Sequence, residues 1–139
     1  ETRKTLELKT VELAAEYITH EEIVELEELF VKMTDDTQSY TYRESVDREF
    51  HILIASASRN PLLYRFVCVV LEVMSKKRQE SYTLPNAARI ANQEHECILK
   101  HLKNHQGDAA RQAMLDHLNT TEKNLLHLVN NQKEVINDE

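Results

Sequence analysis

Seven histidines are spread through 139 residues. Histidine is the side chain that titrates nearest neutrality, and as neutral imidazole it binds divalent metals. Spacing along the chain does not separate the histidines with a role from those without. Two follow an acid by four positions, Glu16–His20 and Asp47–His51, about what 24 randomly placed acids supply. The face that each histidine occupies on its own helix is more informative. Asp47 and His51 share a helical row with Tyr40, Arg43 and Ile54, beside the apolar stripe Val46–Phe50–Leu53. His95 falls in the stripe Ala91–His95–Ile98–Leu102, and His117 in Ala110–Met114–His117–Thr121–Leu125. Three helical segments thus aim polar groups where their periodicity sends apolar ones.

A carboxylate or imidazole buried without a partner is costly. Two resolutions are open on this pattern. Asp47, His51, His95 and His117 share one cation, since carboxylate and neutral imidazole together suit Zn²⁺, Ni²⁺, Mn²⁺ or Fe²⁺. Alternatively, the four satisfy one another in a metal-free core. His101 and His105 also have ligand spacing, but they lie in a last helical turn before Gly107, where the helix dipole favours a histidine, and are read as structural. His20 and His127 receive no role. A ferritin-like di-metal oxidase needs Glu-x-x-His motifs. The residues three before each histidine are Tyr17, Arg48, Asn92, Ile98, Leu102, Met114 and Asn124, and none is glutamate.

The elements that position these residues are helices. With one glycine and two prolines, the chain lacks the turn residues of a strand-rich fold and cannot carry a glycine-rich phosphate loop. Hydrophobic spacing predicts a first helix over roughly residues 2–18 with the stripe Leu6, Leu13, Ala14, Tyr17 and Ile18. Thr19 with Glu22 opens a second, carrying Ile23, Leu26, Leu29, Phe30 and Met33 inward. A third ends near Ser58, and Asn60-Pro61 starts a fourth, which is apolar nearly all round and so expected at the centre. The polar stretch 75–86 reads as a loop. A fifth helix runs over 87–105 and ends at Gly107, expected as a left-handed cap. Asp108 then caps a long last helix with Met114, Leu118, Leu125, Leu128 and Val129 inward.

Composition narrows the function classes. A net charge of −7 gives no basic face for nucleic acid, and a 41% hydrophobic share is too high for an acidic tail. Cys68 and Cys97 fall in helical patterns, as buried free thiols of a reducing compartment. The longest apolar run, 62–74, contains Arg65 and Glu72, so no membrane span is expected. Without a signal peptide, the cytoplasm is the expected location. Glu1 is already in helical register, as in a piece of a longer protein.

Several short motifs together resemble the effector-binding (FCD) domain of the FadR subgroup of the GntR family of bacterial transcription regulators. They are Arg3-x-x-Leu6-Glu7, Leu13-Ala14-Ala15, Asp47-x-x-Phe50-His51, Ala55-x-Ala57-x-x-Asn60, Glu94-His95-x-x-Ile98, Gly107-Asp108-x-x-x-x-Ala113 and Met114-x-x-His117-Leu118. The resemblance covers residues 1–139. It implies a single all-α antiparallel bundle of about six to seven helices with a central metal and ligand cavity, and it matches Asp47, His51, His95 and His117 to the metal ligands. It further implies a small organic acid effector, a homodimer, and a winged helix-turn-helix domain that precedes this one in full-length members and alone touches DNA. Arg3 matches an arginine that faces the effector in some relatives, and Arg89, six residues before His95, is a second candidate anchor. Tyr40, Arg43 and Tyr64 are further candidates to line the cavity. A metal-dependent enzyme acting on a small organic acid is the rival reading, opposed by the lack of an inward glutamate or second acid placed as a general base. A metal-free dimerisation bundle is the third.

Overall fold

Short local signals set most of the helix boundaries. Thr19 Oγ1 accepts the Glu22 amide at 3.2 Å, Ser39 Oγ accepts that of Tyr42 at 3.1 Å, and Asn60 Oδ1 accepts those of Leu62 and Leu63 at 3.2 and 3.1 Å, with Pro61 in the first turn. Each satisfies amide groups that a helix start leaves without an internal partner. The structure, a computed structural model, describes residues 1–137. Its seven helices are α1 (Thr2–Tyr17), α2 (His20–Met33), α3 (Tyr40–Ala57), α4 (Pro61–Val73), α5 (Ser75–Ser81), α6 (Ala87–Lys103) and α7 (Gly107–Asn137). The described residues contain no strand, so the all-helical expectation holds.

One apolar core unites α1, α2, α3, α6 and the first half of α7, through Val11, Ala14, Leu26, Met33, Phe50, Ile54, Ile98, Leu102 and Met114. A smaller cluster of Ala55, Val67 and Leu71 attaches α4 to α3. Helix α1 packs against α3, α4, α6 and α7. Its buried face is Arg3, Glu7, Thr10, Val11, Ala14 and Ala15, and of the expected stripe only Ala14 and Ile18 are buried. Leu6 and Leu13 are only half-buried and Tyr17 is exposed. The inward row is polar at its start because it faces a polar interior.

Five other expectations are corrected. Helix α4 is peripheral: it buries only Val67 and Leu71, while Leu62, Phe66, Val69 and Val73 are 62%, 50%, 56% and 79% exposed. An all-round apolar sequence does not distinguish a core helix from one whose outer face is left uncovered. The stretch 75–86 is not all loop, because α5 occupies Ser75–Ser81 and buries Arg78. Gly107 begins α7 instead of capping α6. The left-handed conformation falls on Arg59, Asn86 and His105, at φ of 58°, 60° and 53°. Beyond Leu118, α7 has no fully buried residue up to position 133, so Leu125 and Leu128 are half-buried and Val129 is exposed. The cysteines are free, but Cys68 is half-buried and Cys97 exposed. No described helix is long and apolar enough to cross a membrane.

The turns at Arg59 and His105 both reach α1. Arg59 donates to the Tyr17 carbonyl at 3.4 Å and pairs with Glu22. His105 Nδ1 donates to the Ala15 carbonyl at 2.9 Å, which gives this histidine a structural task.

Candidate metal centre

The four residues selected by helical face meet at one point. Asp47 and His51 stand one turn apart on α3, His95 comes from α6 and His117 from α7. All four are buried, and one ligand atom from each lies within 4.8 Å of every other. Asp47 Oδ1 is 3.1 Å from His51 Nε2 and 3.2 Å from His95 Nε2, and the two Nε2 atoms are 3.2 Å apart. The His51 and His117 rings stack, with centroids 5.3 Å apart, and the Phe50 ring meets His51 and His95 edge-on. An i, i+4 pair is what brings the carboxylate and first imidazole to one side of α3.

Proton positions decide what these atoms can do. Glu7 Oε1 accepts from His51 Nδ1 at 2.5 Å, and Glu94 Oε2 accepts from His117 Nδ1 at 2.8 Å. An ionised carboxylate only accepts, so in each neutral ring the proton is on Nδ1 and the bare Nε2 lone pair faces inward. Asp47 Oδ1 is buried and receives no hydrogen bond. Lone pairs crowded against an unsatisfied carboxylate oxygen repel one another unless a cation, or a proton on one of the facing Nε2 atoms, lies among them. The residues therefore fit a divalent metal, with the ring orientations fixed by carboxylates behind them. His95 is the exception, since its Nδ1 is buried without a partner.

The surrounding charges favour the metal-binding protonation state at Asp47, His95 and His117 but not at His51. Burial opposes charge on Asp47, yet Arg78 and His95 hold its carboxyl well below the usual range. Burial similarly opposes ionisation of Glu7, and Arg3 and His51 outweigh it to bring the carboxyl down to about 2. Burial pushes His117 well down and His95 down, which keeps both rings neutral. For His51, burial is outweighed by Glu7 and Asp47, and its pKa rises. Behind Asp47, Tyr82 donates its hydroxyl to Oδ2 at 2.8 Å, and Arg78 Nη2 approaches the same oxygen at 3.1 Å. Arg78 also donates to Glu44 at 3.0 Å.

A small cavity of about 30 Å³ touches two of the four residues, Asp47 and His117, with Arg3, Arg78, Glu94, Thr120 and Asn124 also in its wall. It has room for about one or two water molecules. Arg3 is there as expected, although its Nε is engaged by Glu7 and its Nη2 lies 3.5 Å from His51 Nε2. Arg89 is elsewhere: it is exposed and lines a separate open groove with Tyr40 and Arg43. Tyr64 lies outside both, on α4. The sequence predicts no glutamate placed as a general base; the structure does bury Glu7 and Glu44 and half-bury Glu94. Each is committed to a histidine or arginine, so none stands free as a base. The i, i+4 spacing of Arg3 and Glu7 was a usable signal for one of them. Arg78 and Tyr82 were hidden because their segment reads as a loop.

Comparison with known proteins gives the family. The family model of the FCD domain matches residues 1–120. The HTH-type transcriptional regulator LutR of Bacillus subtilis (strain 168) is 29% identical over 127 residues, covering 88% of this chain and 58% of LutR. The solved structure of E. coli McbR/YncC superposes with a TM-score of 0.75 at 24% identity, covering 94% of this chain and 62% of that one. The chain thus spans about three fifths of the length of either relative, and LutR is named as a transcriptional regulator. On the family match and the shared helical bundle, the chain belongs to the FCD domain family.

Proposed function

We propose that this chain is the ligand-sensing half of a transcription regulator, that it holds a divalent metal on Asp47, His51, His95 and His117, and that it answers a small carboxylate. The observation that carries this reading is the convergence of four buried ligand atoms, two of them backed by carboxylates, beside a cavity whose wall includes Asp47 and His117. Bound there, the metal supplies coordination positions that an organic acid can complete. The chain's own residues do the rest. Arg3 and Arg78 bring positive charge to the cavity wall, which suits an anion. Thr120, Thr121 and Asn124 bring polar groups from α7.

The cavity is too small for an acid of more than a few atoms, so binding has to move its walls. Those walls come from α1, α3, α5, α6 and α7, and displacing them changes how the helices pack. A preceding winged helix-turn-helix domain would read that change as altered DNA affinity, with a coupling of about 1–3 kcal/mol. The acidic balance of this half leaves the DNA contact to that domain. Helix α4 offers the homodimer surface: Leu62, Phe66, Val69 and Val73 recur at helical spacing on one exposed face.

Metal analysis of the purified chain tests the reading. Stoichiometric metal is expected in the parent and at least about a tenfold weaker hold in Asp47→Ala and His95→Ala. Stoichiometric metal in both variants would sink it, as would an unchanged melting temperature after chelation.

A further inference from the structure

A second charged site lies outside the metal cavity. Arg43, on the first turn of α3, is only 5% exposed. Among the described residues it forms no ion pair, and its buried Nε has no hydrogen-bond acceptor. Its guanidinium carbon sits 5.5 Å from the centre of the Tyr82 ring. Asp35 feels the Arg43 charge but gives its oxygens to Thr37 and Gln38. Every other buried arginine has a carboxylate: Arg3 has Glu7, and Arg78 has Glu44 and Asp47. A buried guanidinium is stable only with a counter-charge, and Arg43 lacks one.

The surroundings supply the rest of an anion site. Arg43 lines an open groove of about 610 Å³ together with Tyr82, Ala88, Arg89 and Asn92. The groove takes in the start of α6, whose N-cap residue Asn86 is left-handed and makes no side-chain cap. The amides of Ala88 and Arg89 find no acceptor, and free amides at a helix start favour an anion. Arg89 adds a second guanidinium on that turn. Asn92 contributes a buried Oδ1 with no donor. The two acids in the lining, Asp36 and Glu96, are exposed and pair with neither arginine.

We infer that this groove binds the oxyanion group, phosphate or carboxylate, of a second small-molecule ligand. Arg43 takes the charge, the first turn of α6 and Arg89 close around it, and Asn92 receives a donor from the rest of the molecule. The inference stands apart from the metal reading, because none of the four metal ligands lines this groove. The two cavities nonetheless share Tyr82 and Ala87 in their walls. Tyr82, whose ring faces Arg43, donates its hydroxyl to Asp47, so a ligand on Arg43 bears on the orientation of a metal ligand through a single side chain.

The test is a titration of the chain with inorganic phosphate and, separately, with acetate, following the amide resonances of Ala88 and Arg89. The protein is first stripped with chelator and dialysed, so the outcome does not depend on metal. Saturable shifts are expected with one or both ions, and which ion saturates identifies the oxyanion class. Arg43→Gln should weaken binding at least about tenfold, and Arg89→Gln by less. Arg43→Lys keeps the charge without the planar fork. It should fold and bind with intermediate affinity, so a loss in Arg43→Gln cannot be put down to unfolding. Absence of saturation with both ions overturns the inference, as does equal binding by Arg43→Gln or a response confined to Thr120 and Thr121 in the other cavity.

Discussion

At the centre of the bundle four ionisable side chains are shut away from water, while along the outer face of α4 four apolar ones stand in it. Each arrangement reverses the usual division of a soluble domain. The centre is tolerable because its charges are engaged: Glu7 with Arg3 and His51, Asp47 with Arg78 and Tyr82, Glu94 with His117 and Thr120. The outer face has no such compensation within the chain. On the proposed reading, the first region is completed by a cation and the second by an apolar partner.

Breaking the centre should have the largest effect. Asp47→Ala removes the oxygen that faces two imidazoles and leaves Arg78 without one of its two counter-charges. A loss of about 3–5 kcal/mol is expected, read as a lower denaturant midpoint than that of chelator-treated parent protein. A midpoint equal to that of the chelated parent would mean Asp47 acts only through metal. On the opposite face, Phe66→Glu should leave the helical circular dichroism intact and convert a dimer to a monomer by light scattering, at a cost of about 2 kcal/mol or more to association. A parent chain that is already monomeric would refute α4 as the dimer surface. Glu94→Gln sharpens the contrast. It keeps the shape of the group behind His117 but removes its charge, and metal affinity should fall about 10–100-fold with the fold retained. The smallest effect is expected at the base of α4, where Asn60→Ala should cost about 1 kcal/mol of thermal stability through the lost cap.

The two regions also differ in how openly the sequence displays them. The buried cluster of Asp47, His51, His95 and His117 was legible because a histidine on the inward side of a helix contradicts its own periodicity, and three such contradictions coincide. The cap residues Thr19 and Asn60 were legible because capping is local chemistry. The placement of α4 was not, since hydropathy records that a face is apolar and not what covers it. Arg78 and Tyr82 escaped notice for another reason. Their segment is polar and short, and α5 exists because Arg78 finds Glu44 and Asp47 more than 30 positions earlier in the chain. The inward row of α1 was misjudged because Arg3 and Glu7 look like a solvated pair until the buried histidine between them and α6 is known.

The turns at Arg59 and His105 bear on the order in which this chain assembles. The last carbonyls of an α-helix have no partner within it, and α1 ends with neither a glycine nor a basic residue in its last turn. Two of those carbonyls, Tyr17 and Ala15, are satisfied by Arg59 and His105 respectively, which lie 42 and 90 positions away along the chain. The helix that carries Arg3 and Glu7 is thus finished by residues from two distant corners of the chain. A peptide of α1 alone should fray from its C-terminal end, and in the whole chain that end should close late, after both corners have formed.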